Sequence, residues 1–431
     1  MVKQSATDLI EFLYESPTAF HSVLNVEKYL SSEGYMELNE SDVWSLKAKG
    51  KYFVKKNDSA LIAFEIGTGD LKKEGIRMIG AHTDSPGFRV KSNAEMVVEG
   101  TYLKLNTEGY GGAILYTWFD RPLGLAGKVM LKGETPFAPC TKLININKPL
   151  LIIPSLAIHM NRAVNEGLEV NKQKHTLPLL GLVNDYFEKD NYLVKLIADE
   201  LSVDYRDILG FELSLYEYEK GCLVGVEEEF ISCGGLDDMW MVYSGVKALI
   251  ESPEIKATKM MICIDNEEIG SLTAQGANSA FILNIIERVT MALGLNREGM
   301  YQTLANSVMI SADLAHAVHP NYPEKHDPTN RPVLGGGPVL KIASSGSYST
   351  DSRCAAIFES LCQVAEVPYQ KFYNRSDVRG GTTIGPITSS SLTIPVIDMG
   401  SPLLGMHSIR ELAAVKDHEY VIKLFKTFYS L

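Results

Sequence analysis

The sequence predicts an α/β fold, a helix-covered mixed sheet that carries an inserted, mainly β domain. Three observations lead there. Short apolar runs alternate with helix-patterned stretches in the first and last thirds, the middle third is rich in β-type runs broken by turn residues, and 431 residues exceed what one ordinary core holds.

Taken in order, "ATDLIEFLYES" and "AFHSVLNVEKYLSSEG" space their apolar residues as helices do. The runs "KYFVKK", "ALIAFEIG" and "IRMIGAHTD" then read as strands. From 93 to 229, "GTYLKLNTEG", "GKVMLKG" and "PLLIIPSLAIHM" are separated by Gly, Pro and Asn turns, which predicts a β-rich insertion. Helical stretches such as "DDMWMVYSGVKALIES" and "DSRCAAIFESLCQVAEV" return afterwards. The expected layout is therefore a catalytic domain in two parts, 1–92 and 230–431, interrupted at 93–229 by a β-rich domain. Residues flanking the insertion must then meet in space.

Composition narrows the function. An apolar fraction of 45% with 22% charged residues is that of a soluble globular protein, and a formal net charge of −12 offers no basic field for nucleic acid or anionic membrane. No apolar stretch is long enough for a signal peptide core or a bilayer span, which predicts a cytoplasmic location. The six cysteines are scattered without a C-x-x-C pair and read as reduced thiols.

Chemistry concentrates where apolar runs end. "KMMICIDNEEIGS" closes a strand-like run with Asp265, Glu267 and Glu268. In open α/β sheets the carboxyl ends of strands are where ligands bind. A single acid there is more often a helix cap or a solvated charge, but the arrangement recurs. "IRMIGAHTDSPG" ends in His82 and Asp84, "SVMISADLAHAVHP" in Asp313, His316 and His319, and "IPVIDMGSPLLGMHS" in Asp398 and His407; "FISCGGLDDMW" adds Asp237 and Asp238 at a helix start. Imidazole and carboxylate without cysteine suit zinc, cobalt or manganese. Such a set could hold two ions about 3.5–4 Å apart, with one of the adjacent glutamates as ligand and the other as base.

These residues also carry a resemblance. "AHTDSPGFRVK", "GGLDDMW", "DNEEIGS", "SADLAHAVHPNYPEKH", "GGTTIGPI" and "GMHSIRE" are similar, in this order, to the signatures of the aspartyl aminopeptidase family of dinuclear zinc exopeptidases. The resemblance implies that His82, Asp237, Glu268, Asp313 and His407 are metal ligands, with Asp237 bridging two divalent ions, zinc by preference and cobalt or manganese as alternatives. It implies Glu267 as general base and Asp84 as the carboxylate that orients His82. His159, reaching into a neighbouring subunit, together with His319 and Lys341 would contact substrate, although "VLKIASSGSYSTD" around Lys341 departs from the pattern of animal members. Short peptides are the implied substrates, a homo-oligomeric dodecamer the implied assembly, and an acidic N-terminal residue the implied preference. That preference needs a basic pocket, for which Lys341, Arg353 and Arg379 are candidates.

Two other readings stay open on sequence. The same metal chemistry serves an amidohydrolase or deacylase acting on non-peptide amides. A non-catalytic shell-forming protein is the other, disfavoured because the ligand positions and the base are all present.

Overall fold

The fold is that of a computed structural model that describes residues 2–183, 191–378 and 380–431. By internal packing the chain divides into two units. The first comprises Met1–Asp84, Gly221–Met406 and Glu411–Leu431; the second comprises Ser85–Lys220 and His407–Arg410. The sequence reading had put the corresponding boundaries after 92 and after 229.

The first unit is built on a nine-stranded mixed sheet. Its strands run, in spatial order, Met36–Glu37, Lys51–Lys56, Ala60–Glu65, Thr258–Ile264, Ile76–His82, Val308–Ala312, Val396–Gly400, Val339–Lys341 and Gln370–Phe372. Thr258–Ile264, Ile76–His82, Val308–Ala312 and Val396–Gly400 form a parallel centre, paired from Thr258 opposite Ile76 to Ile264 opposite His82. All seven residues of Thr258–Ile264 are buried. Both faces of the sheet are covered, so the strand reads as a continuous apolar run instead of an alternating one.

Alternate residues serve two cores. Met261 and Cys263 point to the layer containing Val2–Tyr14, Leu236–Glu251, Ser352–Ala365 and Val415–Phe428. Met260, Ile262 and Ile264 point to the opposite layer, with Phe281–Ala292, Arg297–Ala305 and Ile384–Leu392. Because the central strands share one direction, their carboxyl ends, at His82, Ile264 and Ala312, emerge on one edge.

The second unit contains a six-stranded antiparallel sheet in the order Cys140–Leu151, Leu123–Leu131, Ile208–Glu217, Gly87–Val98, Tyr102–Tyr110 and Leu179–Leu182. Phe88 meets Trp118 edge to face at 5.1 Å in its core, beside Leu125, Val129, Ile144 and Leu213. Its 152–178 stretch has only two short 3-10 turns and leaves Leu156, Ile158 and Met160 exposed.

Among the described residues no helix is long and apolar enough to cross a membrane. All six cysteines are free thiols; four are buried, whereas Cys140 and Cys222 are exposed.

Candidate metal centre

The site in the first unit is assembled at the carboxyl edge of the parallel strands. His82 is the last residue of Ile76–His82. Asp313 follows Val308–Ala312 directly, its backbone N–H donating to the Met399 carbonyl at 3.0 Å. Glycine at position 400 is required for that approach, since a Cβ there would lie 1.7 Å from the Asp313 carbonyl oxygen.

Glu267 and Glu268 sit on a tight turn after Thr258–Ile264. Asn266 adopts φ 65°, a left-handed conformation that asparagine tolerates better than most residues. Its side-chain oxygen accepts from Thr273 Oγ1 at 2.8 Å and Gln275 Nε2 at 2.9 Å, fixing the turn. Asp84 secures the other side: its two carboxylate oxygens accept the backbone N–H groups of Glu267 and Glu268, each at 3.1 Å. Asp265 turns back onto the chain, accepting the Asn266 N–H at 2.7 Å.

Two groups of ligand atoms, each mutually within 4.8 Å, share His82. One joins it to Asp237, Asp238 and Asp313, the other to Glu267 and Glu268. His82 Nε2 stands 3.5 Å from Asp237 Oδ1. Its Nδ1 donates to the Asp84 backbone carbonyl at 2.9 Å and lies 3.3 Å from Asp84 Oδ1. Asp84 thus faces the imidazole chiefly through its main chain, while its carboxylate is committed to the glutamate turn. With Nδ1 committed to the Asp84 carbonyl, Nε2 is the ring nitrogen turned toward the acids and the one a cation bound there would take.

Charge within this group is far from balanced. Burial pushes the Asp238 carboxyl well above its usual range, and Asp313 and Asp237 push it further, against the opposing effect of His82. Burial likewise raises Asp313, only partly offset by Lys341, whose Nζ is 3.4 Å from Asp313 Oδ2. Glu267 is pushed up to about 8, first by burial and then by Asp313, Glu268 and Asp84, with His82 opposing. For His82, burial favours the neutral ring, but Asp238, Asp237, Asp84 and Glu267 outweigh it and hold the imidazolium well above its ordinary range. Asp238 Oδ1 is buried and has no hydrogen-bond partner. Five acids around one imidazole, with a buried oxygen unsatisfied, fit divalent cations as the missing counter-charge.

Several residues sit differently from their sequence reading. Asp238, read as a helix starter, is fully buried inside the group, where its Oδ2 accepts the His82 backbone N–H at 3.1 Å. The signal was its place beside Asp237 after paired glycines, but a first-turn acid has an ordinary explanation. His418, which the sequence did not single out, is completely buried and accepts from Trp240 Nε1 at 2.8 Å. Arg353 is no pocket residue of this edge. It lines a cavity of about 300 Å³ with Arg77, Ser307 and Val308, which lie at the opposite ends of their strands from His82 and Ala312. Arg379 lies outside the described residues.

His319 is half-buried, stacks near Tyr322 at 5.0 Å between centroids, and accepts the Asn321 N–H at 3.1 Å. His316 is exposed and packs edge-on against Phe372. Lys341 is buried, donates to the Leu314 carbonyl at 2.8 Å, and lies under Tyr348 with Nζ 5.3 Å from the ring centroid. Sequence reasoning did not single out Tyr348.

In the second unit, His407 has φ 66° and its Nδ1 lies 3.2 Å from the Gly112 carbonyl oxygen. His159 is exposed on the 3-10 turn Ile158–Met160.

Comparison with known proteins agrees with this chemistry. The family model described as "Aminopeptidase I zinc metalloprotease (M18)" matches residues 12–429. A "Probable M18 family aminopeptidase 2" of Clostridium novyi is 55% identical over 426 residues, covering 99% of this chain and 98% of its own. A protein of the same description from Clostridium acetobutylicum is 54% identical with the same coverage. Among solved structures, the "Ape4 and Nbr1 complex" contains a chain that superposes with a TM-score of 0.96 at 35% identity, covering 99% of this chain and 86% of that one. The S. cerevisiae mApe1 dodecamer gives 0.85 at 27% identity, covering 98% and 96%.

Proposed function

The chain belongs to the M18 family of zinc metallopeptidases, and from that premise we propose that it removes single, preferentially acidic residues from the N-termini of short peptides. Metal-dependent aminopeptidase activity is the property it shares with the family. The observation that carries the reading is the pair of carboxylate groups overlapping at His82.

His82, Asp237, Glu268 and Asp313, with His407 as the further ligand that the family resemblance implies, would hold two divalent ions, zinc by preference. The chemistry such ions supply is Lewis acidity toward the scissile carbonyl and the attacking water. Glu267 takes a proton from that water and returns it to the leaving amine, a role that its half-buried position beside Glu268 and His82 supports. Asp84 positions base and ligand together by holding both glutamate N–H groups. Asp238 braces the His82 backbone.

Acidic preference rests on Lys341, the buried cation beside Asp313. His319 and His159 complete the substrate contacts, the latter from a neighbouring copy. A homo-oligomer of dodecameric form, located in the cytoplasm, is the accompanying proposal. It is supported by the mApe1 dodecamer and by the exposed Leu156, Ile158 and Met160 that flank His159. A native mass near 47.6 kDa would contradict assembly. For specificity, a panel of peptides beginning with Asp, Glu, Leu or Lys is the test. Faster release of Asp and Glu is expected; preference for Leu or Lys would overturn the acidic assignment and leave the hydrolysis intact.

A further inference from the structure

Asp398 is the middle residue of the strand Val396–Gly400, has no exposed surface and belongs to neither group of ligand atoms around His82. Its carboxylate is nevertheless saturated with donors from two separate segments. Oδ2 accepts both the backbone N–H and the hydroxyl of Ser349, each at 2.6 Å, and Oδ1 accepts the Thr383 hydroxyl at 2.5 Å. The Asp398 backbone N–H also donates to Thr350 Oγ1 at 2.9 Å. Thr383 caps the helix Ile384–Leu392, and glycine at 385 makes room, since a Cβ there would lie 2.3 Å from Asp398 Oδ1.

The anchored stretch leads to the metal group. Ser349 and Thr350 directly follow Tyr348, which is buried and lies over Lys341 Nζ, and Lys341 reaches Asp313 at 3.4 Å. One buried aspartate thus ties residues 349–350, next in the chain to Tyr348, to the helix start at Thr383. A buried carboxylate bearing charge-assisted hydrogen bonds holds geometry more tightly than neutral or apolar packing would.

We propose that Asp398 is a positioning residue for the substrate wall, locking residues 348–350 to the helix start at Thr383 so that Tyr348 and Lys341 face the bound peptide. This rests on the aminopeptidase reading. The wall contacts the non-reacting part of the peptide, so disturbing it weakens substrate and transition state together and appears in KM.

The test is steady-state peptide hydrolysis by Asp398→Asn, Ser349→Ala and Thr383→Ser, with bound metal and thermal midpoint measured on the same samples. Asp398→Asn is expected to raise KM about tenfold while kcat stays within about twofold and metal content is unchanged. Ser349→Ala shifts KM the same way by less, and Thr383→Ser, which keeps the hydroxyl, retains the unmodified KM. A normal KM in folded Asp398→Asn, or a defect confined to kcat or to lost metal, overturns the proposal. If Asp398→Asn does not fold, an unchanged KM in Ser349→Ala overturns it instead. Failure of the unmodified protein to cleave any peptide would overturn the aminopeptidase reading itself, a distinguishable result.

Discussion

Glu267 and Glu268 are chain neighbours, and the turn at Asn266 and the two oxygens of Asp84 present them both to His82. Replacing Glu267 by Gln keeps size and hydrogen bonding but removes the proton acceptor. Glu267→Gln is expected to retain its metal and lose about 10²–10⁴-fold in kcat. Peptide turnover and metal analysis on one preparation check this, and near-normal turnover would sink the assignment of the base. That His82, Asp313 and the glutamates would gather was legible because each follows an apolar run, and the structure brings them into two groups that share His82. Asp238 and Asp398 were harder to read because their importance lies in partners far away in sequence, the His82 N–H in one case and the Ser349 and Thr383 donors in the other.

At the scale of elements, the parallel strands were readable from their apolar runs and the helices from their spacing. Strand order was not, since nothing local tells Val396–Gly400 to lie beside Val308–Ala312. Close approaches between strand ends are equally silent in sequence, and Gly400 is the clearest case. Its added Cβ would meet Asp313 backbone, which cannot swing aside as a side chain can. Gly400→Ala is expected to destabilise the fold by about 1–3 kcal/mol and to weaken metal binding by displacing Asp313. Calorimetry and a metal titration check both effects; an unchanged thermal midpoint would show that the strand yields without cost.

For the whole molecule, the change from helix-mixed to β-rich composition was enough to expect an inserted domain, because the two halves of the first unit share one sheet. Asp84 and Gly221 bracket the second unit, while the short return His407–Arg410 belongs to it and carried no compositional mark. The substrate pocket was the least legible part. Arg353 looked as useful as Lys341 until the fold put it in a cavity beside Arg77 and Val308, whereas Lys341 reaches Asp313.

The central claim is that the acids gathered around His82 hold the metal that makes this chain an aminopeptidase. The most direct measurement is to strip the protein with a chelator, titrate back zinc, cobalt or manganese, and follow bound metal and N-terminal residue release together. The account predicts two ions per chain at saturation, no release from the stripped protein, and activity that returns as those ions bind. Release that persists without metal, or a stripped protein that binds none on titration, would contradict it.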